Sequence, residues 1–240
     1  MMRRDGRKAD EARPVTLAPG YLEYAEGSCL ATAGNTRVLC AASFETRVPP
    51  FLSGSGRGWV TAEYGMLPRS THQRTARENE WPRGRTQEIK RLIGRALRAV
   101  CDLGALGERQ IIIDCDVIQA DGGTRTLALT GGFVALAAAV QNLIDRGLIA
   151  RSPIIEHVAA TSIGVVDGEV LLDLAYDEDS RADTDMNLVM TESGRVVEVQ
   201  ATAEHMPFTW EQFGRMHAVG ATAIERLIRL QHQAIEARGS

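Results

Sequence analysis

From Thr86 to Cys101 the apolar residues Ile89, Leu92, Ile93, Ala96, Leu97 and Val100 recur every three or four positions, the spacing of one helix face. Arg91, Arg95 and Arg98 fall on the other side, so the expected helix carries a solvated or interface-forming basic face. The rhythm changes between Gln110 and Ile118, where a β-branched run predicts a mostly buried strand. It changes again from Phe133 to Ile144, apolar or Ala on nearly every face, which predicts a helix enclosed on all sides. No apolar run approaches the ~20 residues that span a bilayer. A last helix opens at the capping box Thr209-x-x-Gln212 and turns Phe213, Met216, His217, Gly220, Ile224, Leu227 and Ile228 inward. His217 in that stripe reads as a core or interface histidine.

Turn signals divide the remaining apolar runs into strands. Short strands are expected from Val15 to Ala18, from Tyr21 to Glu26 and from Trp59 to Met66. Gly34-Asn35, Asp167-Gly168 and Ser193-Gly194 each separate two such runs and predict three β-hairpins, the last two joining Val158–Val166 to Glu169–Tyr176 and Met186–Thr191 to Arg195–Thr202. Val48 to Gly58, rich in Pro, Gly and Ser, must be loop. With no short-period repeat and no flexible linker, the 240 residues read as a single α/β (α+β) domain with a mixed or antiparallel sheet, its halves at about 10–145 and 155–230.

Composition adds little until charge is located. The net charge is −4, yet nine Arg and one Lys face only four Glu between Arg57 and Arg98, and the rest of the chain therefore carries −10. Within that stretch, residues 67–84 lack apolar periodicity and carry Arg69, Arg74 and Arg77 without balancing acids before Glu78, which suits contact with an RNA backbone or a plain solvated loop. Lys8 and Lys90 are the only lysines among 27 basic residues, and an Arg bias suits bidentate phosphate contacts as well as a GC-rich genome. The charged start of the chain (Arg3, Arg4, Arg7, Lys8, Arg13) has no hydrophobic signal core, so a cytoplasmic protein is expected. Cys29, Cys40, Cys101 and Cys115 sit singly in apolar segments and read as buried thiols rather than disulfides or zinc ligands.

The stretch richest in chemistry is Asp121-Gly122-Gly123-Thr124-Arg125-Thr126, between the buried strand and the enclosed helix. Two glycines there leave bare backbone N–H groups at the positive end of a helix, to which Thr124 adds a hydroxyl and Arg125 a guanidinium fork. An ordinary strand-to-helix turn is the alternative; the Arg between two Thr hydroxyls favours a phosphate site. Arg85, projected at ~100° per residue, falls near the apolar stripe in the first turn of its helix. A guanidinium there needs an anion, either a bound phosphate or one of the protein's own carboxylates.

Residues 177–185 place five carboxylates in nine positions with one Arg. Asp183 and Asp185 share a strand face, and such crowding calls for a cation or a bound Arg unless the loop is simply solvated. Oxygen donors without His or Cys suit Mg²⁺ or Mn²⁺. A phosphate cradle, a basic surface and a hard-metal carboxylate cluster together imply phosphoryl transfer on a polynucleotide. The absence of Gly-x-x-x-x-Gly-Lys-Ser/Thr excludes a P-loop enzyme, and no His or Cys is placed for a covalent phosphoryl intermediate, so the nucleophile is water or a bound anion.

Several segments in combination resemble the bacterial ribonuclease PH family, relatives of polynucleotide phosphorylase and the exosome ring subunits. They are Thr61 to Arg69 (TAEYGMLPR), Gly84-Arg85-Thr86, Asp114-Cys115-Asp116, Asp121 to Thr126, and Glu178-Asp179-Ser180 through Thr184-Asp185-Met186-Asn187. The resemblance runs from Arg13 to the final helix. It implies a ribosomal protein S5 domain 2-like fold and a phosphorolytic 3′→5′ exoribonuclease that trims precursor tRNA and other RNA 3′ ends. Inorganic phosphate would be held by Arg85, Gly123, Thr124 and Arg125, with Asp179 and Asp185 as a catalytic pair binding Mg²⁺, Asp183 standing where a Glu is frequent, and Arg69, Arg74 and Arg77 contacting tRNA. It also implies a homohexamer, a trimer of dimers. Ala201 to Met206 (ATAEHM) departs from the family's usual Gly-Thr-Ala-Glu-Gly and puts the local turn in doubt. Two rival readings remain: a non-catalytic RNA-binding ring subunit, which typically lacks the phosphate arginine or the acid pair, and a hydrolytic metal-dependent nuclease, which leaves the cradle without a purpose.

Overall fold

The computed structural model describes residues 3–77 and 84–238. Its first sheet joins β1 (Val15–Pro19), β2 (Gly27–Ala33), β3 (Thr36–Glu45), β4 (Trp59–Met66) and β5 (Gln110–Gln119) in the order β1-β2-β3-β5-β4. The β4–β5 pair is parallel and the others are antiparallel, so the sheet is mixed. The crossover between β4 and β5 contains α1 (Gly84–Ala99) and the single turn α2 (Leu103–Leu106). β6 (Val158–Val166), β7 (Glu169–Leu172), β8 (Thr184–Thr191) and β9 (Val196–Ala203) form a wholly antiparallel second sheet in the order β7-β6-β8-β9.

Helix α3 (Thr124–Asp145) lies between the two sheets, against β2, β3 and β5 on one side and β6 on the other. That position explains its all-round apolar sequence: Leu129, Phe133, Leu136 and Leu143 have no solvent exposure. At 22 residues α3 is in fact long and apolar enough to cross a membrane, longer than the apolar run in the sequence implied, but most of it is buried inside the fold. β5 supplies the facing layer by strict alternation, with Ile111, Ile113, Cys115 and Val117 buried and Asp114 and Asp116 on the other face. The short α4 (Tyr176–Asp179) follows β7, and α5 (Trp210–Arg238) packs over β6, β7 and β8. The capping box is present in both directions, Gln212 N donating to Thr209 Oγ1 at 3.1 Å and Thr209 N to Gln212 Oε1 at 2.8 Å. Gln231, wholly buried in α5, donates to the carbonyls of Thr130 (3.0 Å) and Val158 (2.9 Å) and so ties α5 to α3 and β6. All four cysteines are free and buried, and burial pushes the thiols of Cys29 and Cys101 up to about 12.

Several expectations need correction. Residues 21–26 form no strand: Gly20 turns the chain at φ 72° straight from β1 toward β2, and the intervening loop leaves Tyr24 almost fully exposed. The strand expected to run to Tyr176 stops at Leu172, because Asp173 adopts φ 52°, outside any ladder conformation. The acidic stretch is not all loop, since residues 176–179 make α4. Arg98 leaves the solvated face of α1; its guanidinium lies 4.1 Å over the Trp59 ring and donates to Val60 O at 2.8 Å.

Sheet and helix approach closely at Gly27, where an added Cβ would land on the Ala135 carbonyl oxygen and the Ala139 nitrogen. Gly27→Ala is therefore expected to force β2 away from α3 at a cost of ~1–3 kcal/mol. Thermal melts should drop by ~2–4 °C for each kcal/mol lost; an unchanged melting temperature would show that the backbones separate freely.

Candidate active site

The chain leaves β5, turns at Gly122 (φ 77°) and Gly123 (φ 64°), and enters α3 at Thr124. Gly122 is required twice over, by its positive φ and because a Cβ there would strike the Leu174 carbonyl and sit 3.0 Å from Tyr176 N. Gly123 is the N-cap of α3 and offers no side chain to the helix's first N–H groups. Thr124 next to it accepts a hydrogen bond from the Tyr64 hydroxyl at 2.9 Å, and burial pushes the Tyr64 phenol up so that it stays a donor.

Arg125 is held from two directions. Its Nη1 donates to Gln200 Oε1 (2.9 Å) on β9 and to Glu88 Oε1 (3.2 Å) on α1, while Gln200 Nε2 donates to the same Glu88 oxygen at 2.6 Å. One edge of a largely buried guanidinium is thereby fixed before any ligand arrives. Arg85, one helical turn before Glu88, is exposed to a cleft rather than turned into the core.

Opposite these cations stand two carboxylates. Asp179 is the last residue of α4, and Asp185 is on β8, paired with Gly164 and Thr202. Burial, partly offset by Arg85 and Arg125, raises the Asp179 pKa; burial and the neighbouring Asp179 charge raise that of Asp185. Arg85, Gly123, Thr124, Arg125, Asp179 and Asp185 all line one cleft of about 660 Å³ between the two halves of the chain.

Other candidates are not gathered there. Asp183 does not line the cleft; its N–H donates to Val165 O (2.8 Å) and its carbonyl accepts from Glu204 and His205. Arg69, Arg74 and Arg77 are exposed and do not line the cleft, although Met66 and Thr71 on the same stretch do, and residues 78–83 of the basic loop lie outside the described residues. Arg69 lines an adjoining cavity of about 840 Å³ with Arg4, His72 and Asp177.

Sequence reasoning missed Tyr64, Glu88, Gln200 and Ser162. Ser162 lines the cleft, and its hydroxyl is buried without a hydrogen-bond partner among the described residues. Glu88 could have been found from its i+3 spacing to Arg85; the others come from distant strands. The divergent stretch after Gln200 also borders the site, since Thr202, Glu204 and His205 line the cleft and the Glu204 charge helps raise both aspartates.

Two neighbouring carboxylates lining one polar cleft fit a hard divalent cation. Among the described residues, three potential metal ligands cluster only at His157, Glu192 and His232. There the imidazoles stack 3.8 Å apart with planes only 16° from parallel, so their in-plane lone pairs do not converge, and His232 is engaged with Glu192 at 2.8 Å.

Residues 11–141 match the family model described as "3' exoribonuclease family, domain 1", and residues 157–223 match its "domain 2". The ribonuclease PH of Methylobacterium radiotolerans is 58% identical over 236 residues, 98% of this chain and 100% of that protein. That of Moorella thermoacetica is 56% identical over 237 residues, covering 98% and 95%. A chain from the Archaeoglobus fulgidus exosome with RNA bound to the active site superposes with a TM-score of 0.79 at 22% identity, covering 94% of this chain and 91% of that one, a likeness of fold. Fold and matches together define a phosphorolytic 3′→5′ exoribonuclease. The chain belongs to the 3′ exoribonuclease family, in its ribonuclease PH group, on the S5 domain 2-like α/β fold expected from the sequence. The silent ring subunit and the hydrolytic nuclease both give way to this assignment.

The raised carboxylates give a sign-definite test. A folded-state pKa above the unfolded value means that the group's contribution to stability is complete below the unfolded value near ~4 and is lost as pH rises through the folded value. Asp185→Asn removes that loss, so at pH 7 without divalent metal the variant should melt higher than the parent, with the gap closing toward pH 4, while phosphorolysis disappears. A lower melting temperature at pH 7 would show that Asp185 is not electrostatically frustrated.

Proposed function

We propose that Arg85, Thr124 and Arg125, with the backbone at Gly123, hold inorganic phosphate against the 3′-terminal phosphodiester of a precursor tRNA or another RNA, beside Asp179 and Asp185. The observation that carries this reading is the single cleft that sets two guanidiniums and an uncapped helix N-terminus against two carboxylates. A phosphate oxygen forms the new bond to phosphorus, the bond to the penultimate 3′ oxygen breaks, and the last nucleotide leaves as a nucleoside 5′-diphosphate. The departing 3′ oxygen takes a proton, from hydrogen phosphate or from one of the raised carboxyls. Arg85 and Arg125 offset the repulsion between the two phosphates, and the bonds from Glu88 and Gln200 mean that Arg125 needs little reorganisation to do so. Asp179 and Asp185 would hold Mg²⁺ or Mn²⁺, which when bound supplies further charge neutralisation at the transferring phosphoryl group.

Arg69, Arg74 and Arg77, exposed on the segment that contributes Thr71 to the cleft, suit the RNA backbone, a role that is sequence-independent and salt-sensitive. The two halves act as one unit in this reading, because both line the cleft. A cytoplasmic homohexamer is the assembly we favour on the family resemblance, and the exposed Tyr24 (95%), Phe51 (71%) and Trp210 (87%) are available to contacts between subunits.

A labelled tRNA with a few extra 3′ nucleotides, incubated with Mg²⁺, should release nucleoside diphosphates only when inorganic phosphate is added. Monophosphates formed without phosphate would sink the cradle reading. Arg125→Ala should raise the KM for phosphate and lower kcat/KM by roughly 10²-fold while RNA binding by filter retention stays near that of the parent. Equal losses of both would transfer Arg125 to RNA.

A further inference from the structure

Arg4 and Lys8 at the start of the chain are exposed, but the other three basic residues there turn inward. The side chains of Arg3, Arg7 and Arg13 are 1%, 8% and 6% exposed, and all three turn toward the second half of the chain. Arg3 closes a fork on Glu178 (Nε–Oε1 2.7 Å, Nη2–Oε2 2.6 Å) and also donates to the carbonyls of Glu11 (3.0 Å), Leu172 (2.9 Å) and Asp173 (3.0 Å). Arg13 closes a second fork on Asp173 (Nε–Oδ2 2.8 Å, Nη2–Oδ1 2.6 Å). Arg7 places a further charge on both acids. Every guanidinium nitrogen of Arg3 and Arg13 has a hydrogen-bond partner, as a buried guanidinium requires, whereas Arg7 Nη2 is buried without one. Burial alone would raise the carboxyls of Asp173 and Glu178, yet the arginines hold both below their usual range.

What these forks are attached to gives them a role in the reaction. Glu178 precedes Asp179 in α4, and its Oε2 accepts from Ala175 N (2.9 Å) at the start of that helix. A helix of four residues does not hold itself, so the fork from Arg3 sets where Asp179 stands. Arg13 reaches in the other direction: Nη1 donates to Asp121 O and Nη2 to Gly122 O (3.4 Å), the carbonyls immediately before Gly123. The same guanidinium grips the carboxylate of Asp173, whose left-handed backbone at φ 52° presents its carbonyl to Arg3 and Arg7. The arm thus spans the gap between the turn before α3 and the helix that carries Asp179.

We propose that Arg13 and Arg3 are positioning residues of the phosphorolytic reaction, Arg13 acting through the Gly122-Gly123 turn on phosphate and Arg3 acting through Glu178 on the metal-binding acid pair. The assignment rests on the reading of that turn as the phosphate site and of Asp179 and Asp185 as the acid pair. Catalysis by placement is sensitive to displacements on the order of 1 Å, and neither arginine needs to touch substrate to exert such control.

The test uses the full chain with Arg13→Lys and Arg3→Lys, since Lys keeps the charge but cannot make a fork. Arg13→Lys should raise the phosphate KM about tenfold with RNA affinity and Mn²⁺ affinity near the parent's. Arg3→Lys should leave the phosphate KM within about twofold and weaken Mn²⁺ binding about tenfold, read from the free-ion electron paramagnetic resonance signal at unchanged stoichiometry. A merely structural role predicts instead a lower active fraction, with reduced stoichiometry and unaltered constants, and that result, or full activity, overturns the proposal. If either Lys variant does not fold, Glu178→Gln must weaken Mn²⁺ affinity in the same direction, and unaltered affinity overturns Arg3's role. Arg125→Ala separates the two levels. If it leaves the phosphate KM unchanged, the phosphate reading itself fails; if it moves that KM and Arg13→Lys does not, only the positioning role fails.

Discussion

A helix buried on two sides cannot choose where it ends. α3 is clasped by β2, β3 and β5 on one side and β6 on the other, so its axis and register are set by packing that has nothing to do with chemistry. Its N-terminus is thereby delivered to the seam between the sheets, beside the strand end that carries Asp185 and the short helix that carries Asp179. Partial positive charge at that end, two arginines and the opposed carboxylates follow as consequences of where one apolar helix is trapped. The hydrophobic core and the cleft are in this sense one construction.

The same seam is a place of electrostatic tension. Burial and then like charges raise Asp179 and Asp185, while Arg125 pulls both the other way, and Arg85 the first of them, without cancelling the effect. Such a site is stabilised by what it binds more than by itself, which is the usual exchange between stability and activity in an enzyme that brings several phosphates together. The bonds that hold Arg125 through Glu88 and Gln200 join α1 to β9, so even the cation side depends on both halves of the chain.

Legibility from sequence followed the range of the forces involved. The hairpins at Gly34-Asn35 and Asp167-Gly168, the enclosed helix and the glycine turn were readable because turn chemistry and periodicity are local. Arg98 was misplaced because nothing near it in sequence announces the Trp59 ring that draws it in. Residues 21–26 alternate like a strand but have no neighbour to pair with, and α4 was hidden because an acidic segment has no apolar rhythm to report a helix turn. Among site residues, Arg85, Arg125 and Asp185 carried chemical signatures of their own, whereas Tyr64, Ser162 and the three arm arginines gain meaning only from partners far along the chain.

That distance has a consequence for how the protein is made. Arg3 and Glu178 are separated by 175 positions and Arg13 and Asp173 by 160, so the arm pairs with a segment that is synthesised much later. Contacts of this range are slow to close, and domains otherwise gain structure from the N-terminal side during synthesis. A nascent chain can thus assemble its first sheet and α3 while the turn and the acids remain unconnected. The turn before α3 and the helix that carries Asp179 are joined through the arm only once both halves of the chain have been made.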